Sequence, residues 1–465
     1  MKIFIAIILL LLSGCAKVKI GSEFAKLEKK TVKLTGSNIV LDNVLHDELE
    51  DIPNIKNKIA DGLSRDQAVS IALLNNPSLQ ADFENLGIAK ADLVQAGLFT
   101  NPTTNNVFRF PTRSQGPGTA QTNIESVLAF RLSDMWLVPV SKKVAEDLLE
   151  IVSLRILSTI LTTVEDTKIA YDACLASEQQ LENTKNLLDA TKELKNEIYY
   201  RQLYGYTSDL DKNLVDASLG VLETELEQRQ YDVLNSYIHL KKLLGINPSS
   251  EQIKLTSKLN EINAIPEIKL LEEYALTNRP EIQIAHMKIR QYKDSISLER
   301  ARLFKDVNIG ITYKQDFDKP FRGWGPYISF EIPFFDSNYA QVAKAEFHLR
   351  QAEKEVLEEK IKIKEEIRKP YNVINALKKE INFYESKIIP AHEKAIDYAY
   401  TYAATMQLNM VTAYETTIKF YEANAELIDK YFELRTKFAQ LERAVGKNID
   451  NFATEASMKN IKFIN

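Results

Sequence analysis

Leu12-Ser13-Gly14-Cys15 is the stretch whose residue types most directly specify chemistry. The small residues at 13 and 14 give a peptidase room to approach. Cys15 is then the group that takes a diacylglyceryl chain, with N-acylation of the amine that cleavage exposes. Ahead of it, Lys2 forms a short basic region, and residues 3–12 form an apolar run. That run is too short to span a bilayer as a helix but suits a signal peptide. The pattern is that of a bacterial lipobox. Three acyl chains would anchor stably where one gives only marginal binding. Ala16 follows the cysteine; the sorting rule of the lipoproteins this motif resembles keeps Asp at that position in the inner membrane, so the resemblance implies the outer membrane. Cys174, the other of the two cysteines, is left without an intramolecular partner. It reads as a small buried apolar residue.

No other constellation supports a reaction. His46, His239, His286, His348 and His392 are scattered, without the spacing of a metal site. No Gly-x-Ser-x-Gly and no phosphate-cradling loop occurs. The reading is therefore of a protein that is not an enzyme, with no catalytic residues, no metal and no cofactor. The chain has 465 residues, 45% of them hydrophobic, and a formal charge of −5. That charge argues against nucleic acid as a partner.

The elements that organise the chain are long helices. Residues 141–203 contain neither Gly nor Pro and would run roughly 95 Å at about 1.5 Å per residue. Val144, Leu148, Ile151, Leu154, Leu157, Leu161, Val164, Tyr171 and Leu175 recur at helical spacing, interrupted once across Lys168. Gly205 ends this rod, Thr207 or Ser208 caps a returning helix with Asp209 and Asp211 in its first turn, and Gly245 ends that helix. Before the rod the period changes to two. Ile124, Ser126, Leu128, Phe130 and Leu132 share one face, and Asn123, Glu125, Val127, Ala129 and Arg131 the other, which predicts a strand. Residues 105–110 form a second strand, with Gly116-Pro117-Gly118 in the loop between the two. Two helices precede them, 64 onward and 77–98, separated at Asn76-Pro77. Residues 16–60 read as an extended arm with little regular structure.

The order then repeats. Ala72-Leu73-Leu74-Asn75-Asn76-Pro77 corresponds to Ala275-Leu276-Thr277-Asn278-Arg279-Pro280. Val307, Ile309, Ile311 and Tyr313 alternate with Asn308, Gly310 and Thr312, and Ile328, Phe330 and Ile332 with Tyr327, Ser329 and Glu331. Residues 316–325 read as the polar turn between these strands. A second long helical stretch, residues 339–404, holds Pro370, where a kink or junction is expected, and Pro390, a further irregularity. A returning helix, 408–445, ends at Gly446.

The chain resembles the TolC-like outer-membrane efflux proteins, and among them the lipoprotein branch. The carriers are the motif ending in Cys15, the doubled Ala-Leu-x-Asn-x-Pro stretches, Ile332-Pro333-Phe334-Phe335 and the Gly-ended hairpins. One departure is that Ser133-Asp134-Met135-Trp136 enters the first rod without a Gly-rich link. The fold class implied is mainly α with a small β part, an internally duplicated protomer. Its four strands contribute to a trimeric twelve-stranded barrel, and its long antiparallel hairpins form an α-barrel. The expected divisions are a signal peptide 1–14 and a lipidated arm 15–60. A first repeat spans 61–250, with strands 104–110 and 123–132 and a hairpin 138–245. A second spans 262–446, with strands 306–314 and 326–333 and a hairpin 338–445, and a tail covers 447–465.

Physics supports oligomerisation. Four strands cannot close a barrel, and an open sheet in lipid leaves edge amides unsatisfied. The resemblance implies an outer-membrane homotrimer, lipid-anchored and integral, with its helical part in the periplasm. It implies a passive exit duct for small solutes or metal ions, working with a periplasmic adaptor (membrane fusion) protein and an inner-membrane pump. The hairpin tips, residues 200–211 and 402–412, would form the periplasmic entrance and adaptor contact, with Gly205, Asp209, Asp211, Gln407 and Asn409 as candidates. Helix-start capping is the plainer role for Asp209 and Asp211. Trp136, Phe321 and Trp324 flank the strands as candidates for an interfacial aromatic girdle. The alternative is a periplasmic coiled-coil adaptor lipoprotein, which would carry one hairpin between compact β domains rather than two hairpins.

Overall fold

The computed structural model describes residues 18–36, 62–110, 122–249, 253–260, 264–316 and 321–449. The expected signal peptide, Cys15, the Gly116-Pro117-Gly118 loop and the tail from residue 450 lie outside them. The helices are α1 (Gly21–Thr35), α2 (Arg65–Asn75), α3 (Pro77–Ala96), α4 (Asp134–Leu203), α5 (Asp209–Leu243), α6 (Ile268–Asn278), α7 (Pro280–Ala301), α8 (Tyr339–Phe383), α9 (Ile389–Ala404) and α10 (Met410–Val445). The strands are β1 (Thr103–Arg109), β2 (Asn123–Arg131), β3 (Asn308–Asp316) and β4 (Phe321–Ser329). The helix–helix–strand–strand–hairpin order occurs twice, as the sequence predicts. Among the described residues no helix is long and apolar enough to cross a membrane.

Contacts divide the chain into two compact units. The first comprises residues 1–23, 83–155 and 281–359. It holds one antiparallel sheet in the order β1-β2-β3-β4. The link that lacks glycine is closed by other means. The Leu132 and Ser133 amides both donate to Val307 O, at 2.8 and 3.3 Å, and Ser133 Oγ donates to Lys305 O at 2.6 Å. The Asp134 carboxylate accepts from the Thr100 amide at 2.6 Å. The helical part of this unit is tied by Arg290 Nε to Asp147 Oδ1 (2.6 Å) and Lys288 Nζ to Glu355 Oε2 (3.0 Å). Burial pushes the Asp147 carboxyl up even though Arg290 opposes the shift.

The second unit comprises residues 24–82, 156–280 and 360–465. Here the doubled Asn-x-Pro motif finds its reason. Asn75 Nδ2 donates to Leu244 O and Gly245 O, at 2.9 and 3.1 Å, and Asn76 Nδ2 to Leu243 O at 3.0 Å. The motif thus satisfies the last carbonyls of α5, which a helix end cannot pair internally. Its counterpart Arg279 does the same for α10, donating to Ala444 O at 3.3 Å and pairing with Glu366 at 2.5 Å. Tyr171, fully buried, donates its hydroxyl to Leu63 O at 2.7 Å and accepts from the Thr256 and Ser257 amides. Asp172, also fully buried, meets Arg65 at 2.7 Å and Arg435 at 3.1 Å. Lys168, the interruption in the α4 stripe, pairs with Glu442 at 2.7 Å.

Three expectations are corrected. The arm is not uniformly extended, because α1 occupies residues 21–35. Phe24, Leu27, Thr31 and Leu34 are buried at helical spacing. Thr31 and Thr35 disguise the stripe, yet each hydroxyl donates to a carbonyl one turn back at 2.9 Å and so tolerates burial. Pro370 does not break its helix, since α8 runs through it. Buried Ile363, Ile367 and Ile374 hold the turns on either side, so one lost hydrogen bond is absorbed. The further irregularity expected at Pro390 is present, as a π-helical turn, Tyr384–Ile388, just ahead of it. That wider turn relieves the crowding of the proline ring against the carbonyl four residues earlier. Finally, β4 lies at Phe321–Ser329 rather than 326–333. Gly323 and Gly325 suggest a turn, but they hold the alternate positions of a strand whose other face is Arg322, Trp324, Pro326 and Ile328.

Candidate functional site: an open sheet and two hairpin tips

The register settles which residues of the sheet share a face. Phe108 lies opposite Ile124, Leu128 opposite Ile311, and Phe130 opposite Ile309. Ile309 in turn lies opposite Ile328, and Tyr313 opposite Trp324. These side chains form one apolar surface across all four strands. It stands in the open: Ile311 is 55% exposed, Ile328 65% and Trp324 76%. An exposed apolar patch of this extent marks an interaction surface. The opposite face carries Asn105, Arg109, Asn123, Glu125, Arg131, Asn308, Thr312, Lys314 and Asp316. Its charges meet in pairs, Arg109 with Glu125 at 3.0 Å and Arg131 with Asp306 at 3.5 Å. β1 and β4 form the two edges of the sheet. A nine-residue strand extends roughly 30 Å at about 3.4 Å per residue, and a tilt of about 40° brings its height to roughly 23 Å. That is close to the apolar band of an outer-membrane barrel, about 25 Å tall.

Exposed aromatic and aliphatic side chains stand at the strand–helix junctions: Phe99 before β1, Trp136 after β2, Phe304 before β3, and Phe334 and Phe335 after β4. Trp324 and Phe321 lie toward the β3–β4 connection, at the other end of the strands. The three expected girdle residues therefore divide between the two ends of the sheet.

The tips belong to the second unit. All four long helices that lead into or out of a hairpin end on the same pair of backbone bonds, a Schellman motif. At the first tip Tyr206 N donates to Arg201 O and Gly205 N to Gln202 O, with Gly205 at φ +77. At the second, Gln407 N donates to Tyr402 O at 2.9 Å and Met406 N to Ala403 O, and Met406 takes the left-handed position at φ +61. Asp211 forms a capping box with Ser208, and Asp209 accepts from Gln202 at 2.5 Å. Asn409 caps α10 by accepting from the Val411 amide at 2.9 Å, and its Nδ2 lies 3.5 Å from Asp211 Oδ1. Of the predicted tip residues the fold thus joins Asp211 to Asn409. Gly205, Asp209 and Gln407 act within their own turns.

Two tip features escaped the sequence reading. Tyr199 Oη donates to Asp216 at 2.8 Å, where Lys195 also sits at 2.8 Å. Lys195 and Tyr199 together hold the Asp216 carboxyl below its usual range. The signal was a Lys and a Tyr four residues apart on α4, facing the first turns of α5. Also, Tyr200, Leu203, Tyr204, Tyr206 and Leu210 are all more than 60% exposed. A core of Leu194, Ile198, Val215, Ala403, Met410 and Ala413 packs the two hairpins together behind the tips.

The first unit thus presents an open four-stranded sheet, apolar on one face and polar on the other, and the second unit paired helical hairpins. Residues 271–447 match the family described as outer membrane efflux protein. No curated protein sequence matches the chain. Among solved structures, the Campylobacter jejuni CmeC outer membrane channel superposes with a TM-score of 0.71 at 15% identity, covering 84% of this chain and 87% of that one. The Vibrio cholerae outer membrane protein VceC gives 0.68 at 16% identity, covering 83% and 96%. CusC, described in terms of transmembrane channel formation, gives 0.70 at 15%, covering 82% and 92%. The chain shares the fold of these channel structures, and its residues 271–447 match the outer membrane efflux protein family.

Proposed function

We propose that the chain is one of three protomers of an outer-membrane exit duct in a tripartite efflux system. The observation that carries this is the register of the sheet, which places an apolar surface on one face and a charged one on the other, with an edge strand at each side. Copies related by rotation join β1 of one to β4 of the next, so that edge amides are paired and none is left bare in lipid. Three copies give twelve strands, a barrel wide enough for a polar lumen. Small solutes or metal ions cross this lumen passively, and the energy is supplied by an inner-membrane pump acting through a periplasmic adaptor. Lipidation at Cys15 adds an anchor to the barrel. The tips, with Gly205, Asp209, Asp211, Gln407 and Asn409, form the periplasmic entrance. The exposed tyrosines and leucines of the first tip offer the rigid apolar anchors that protein partners use.

The test is purification in detergent followed by mass measurement and reconstitution in a planar bilayer. Trimers that give discrete conductance steps are expected. A monomer without conductance overturns the proposal, and release by carbonate washing would point to a peripheral adaptor instead.

A further inference from the structure

In the second unit α4 is flanked by α5 and α10, and beside the tip core a cavity of 430 Å³ opens between the three helices. That volume lies in the range of small-molecule sites, about 300–1,000 Å³. Its α5 wall runs from Leu214 to Glu225 and its α10 wall from Tyr414 to Ala425. At about 1.5 Å per residue each wall is roughly 16 Å long, the span of a small molecule rather than of a long partner helix. The middle of the cavity is apolar. Leu187 of α4, Leu222 of α5 and Tyr414 of α10 are buried in the tip core, with Ile418 and Tyr421 packed against them. Val221, 68% exposed, stands open on the α5 wall. The rim is acidic. Glu225 and Glu422 line the cavity from opposite walls, and among the described residues no lysine or arginine lines it. Glu225 meets Arg229 at 3.2 Å in a half-exposed pair. Glu422 is exposed and has no ion-pair partner among the described residues. Gln180 of α4, 5% exposed, closes the floor. Its Nε2 donates to Ala425 O at 2.8 Å and to Asp429 Oδ1 at 2.9 Å, while its Oε1 has no hydrogen-bond partner. A buried acceptor left in that state calls for a donor.

We propose that this cavity is a binding site for an amphipathic organic cation, a flat apolar body that carries a positive nitrogen and an amine donor. The body displaces water from Leu187, Val221, Leu222 and Ile418, and that burial drives association. The positive nitrogen lies between the two carboxylates, beside the Tyr421 ring, whose face attracts a cation. A ligand N–H at the floor supplies the donor that Gln180 Oε1 lacks. An anion of the same size meets two like charges and no cationic side chain, so the site discriminates by sign. The three helices belong to one chain, and the inference does not rest on the channel reading.

Fluorescence anisotropy of ethidium with the full chain in an uncharged detergent tests this, with fluorescein as the anionic control and protein-free micelles as the blank. Saturable binding of about one ethidium per chain is expected, and none of fluorescein. Glu225→Gln combined with Glu422→Gln should weaken binding about tenfold, since each exposed charge contributes up to about fivefold. Salt at about 0.5 M should weaken binding to the natural chain and change the double variant little. Ser218→Trp fills the cavity from the α5 wall without changing its charge and should abolish binding. Val221→Trp, at a more exposed position of the same wall, serves if that variant does not fold. Absence of saturable binding, equal binding of both dyes, or ethidium binding that survives the charge and filling variants overturns the proposal. A natural chain that takes no dye, with a changed particle mass in Ser218→Trp, assigns the cavity to an interface between copies instead. The readout is independent of conductance, so its failure leaves the channel assignment untouched.

Discussion

At the residue scale, glycine placement separates a backbone requirement from mere spacing. A Cβ on Gly310 would sit 2.1 Å from Leu128 O, inside the β2–β3 ladder, whereas one on Gly325 would meet only Thr312 Cγ2 at 3.6 Å. Gly310→Ala should therefore force the ladder apart, costing about 1–3 kcal/mol, while Gly325→Ala should be nearly neutral. Thermal unfolding of the purified protein would rank the two. The Schellman positions give a second contrast. Gly245, at φ +65, would drive a Cβ to 2.1 Å from Asn75 O, so Gly245→Ala should cost more than the about 1–2 kcal/mol of a left-handed alanine alone. Met406 already occupies such a position, and Met406→Gly should stabilise its tip by about 1 kcal/mol, seen as slower exchange of the Gln407 and Leu408 amides. The sequence announced Gly205, Gly245 and Gly446 as helix ends, because glycine advertises the left-handed conformation. It could not announce Met406, whose side chain carries no such preference and whose conformation is imposed by the turn.

At the element scale, the fold was readable where one segment carries its own period. The two faces of β2 and the Asn-x-Pro repeat are of this kind. What the sequence could not show were contacts between segments far apart in the chain. Arg65 and Arg435 converge on Asp172 from positions 107 and 263 residues away, and only the folded helices bring them together. A trace was present all the same, since the α4 stripe misses a turn at Lys168, and that lysine is the one paired with Glu442. Misplacing β4 and overlooking α1 share a cause: glycines and threonines occupied the positions where apolar residues would have marked a face. Asp172 is fully buried, and both its partners are largely so. Asp172→Asn would leave two guanidinium groups facing a neutral amide. A loss of about 3–5 kcal/mol is expected, with the unfolding midpoint in denaturant falling accordingly. An unchanged midpoint would mean that the arginines find water or other acceptors at no cost.

At the scale of the whole molecule, the two faces of the sheet make separable predictions about assembly and conduction. Ile311 and Thr312 are adjacent on β3 and point to opposite sides. Ile311 belongs to the apolar surface with Leu128. Thr312 lies among the polar and charged side chains, opposite Val127 and Gly325. If three sheets close into one barrel, Ile311 faces lipid and Thr312 the lumen. A cation placed on the lipid side near mid-membrane costs about 2–4 kcal/mol per copy, and three copies multiply the penalty. Ile311→Arg should therefore abolish stable insertion, leaving the protein as a monomer or aggregate in membrane fractions. Thr312→Arg should insert and assemble as before, because its guanidinium is hydrated in the pore. It should lower single-channel conductance to cations and shift selectivity toward anions, since it adds three positive charges to one level of the lumen. The opposite outcome, insertion tolerated at 311 and lost at 312, would mean that the sheet is inside out relative to this assignment. Equal tolerance at both would mean that neither face meets lipid, and the reading of the sheet as a membrane wall would fall.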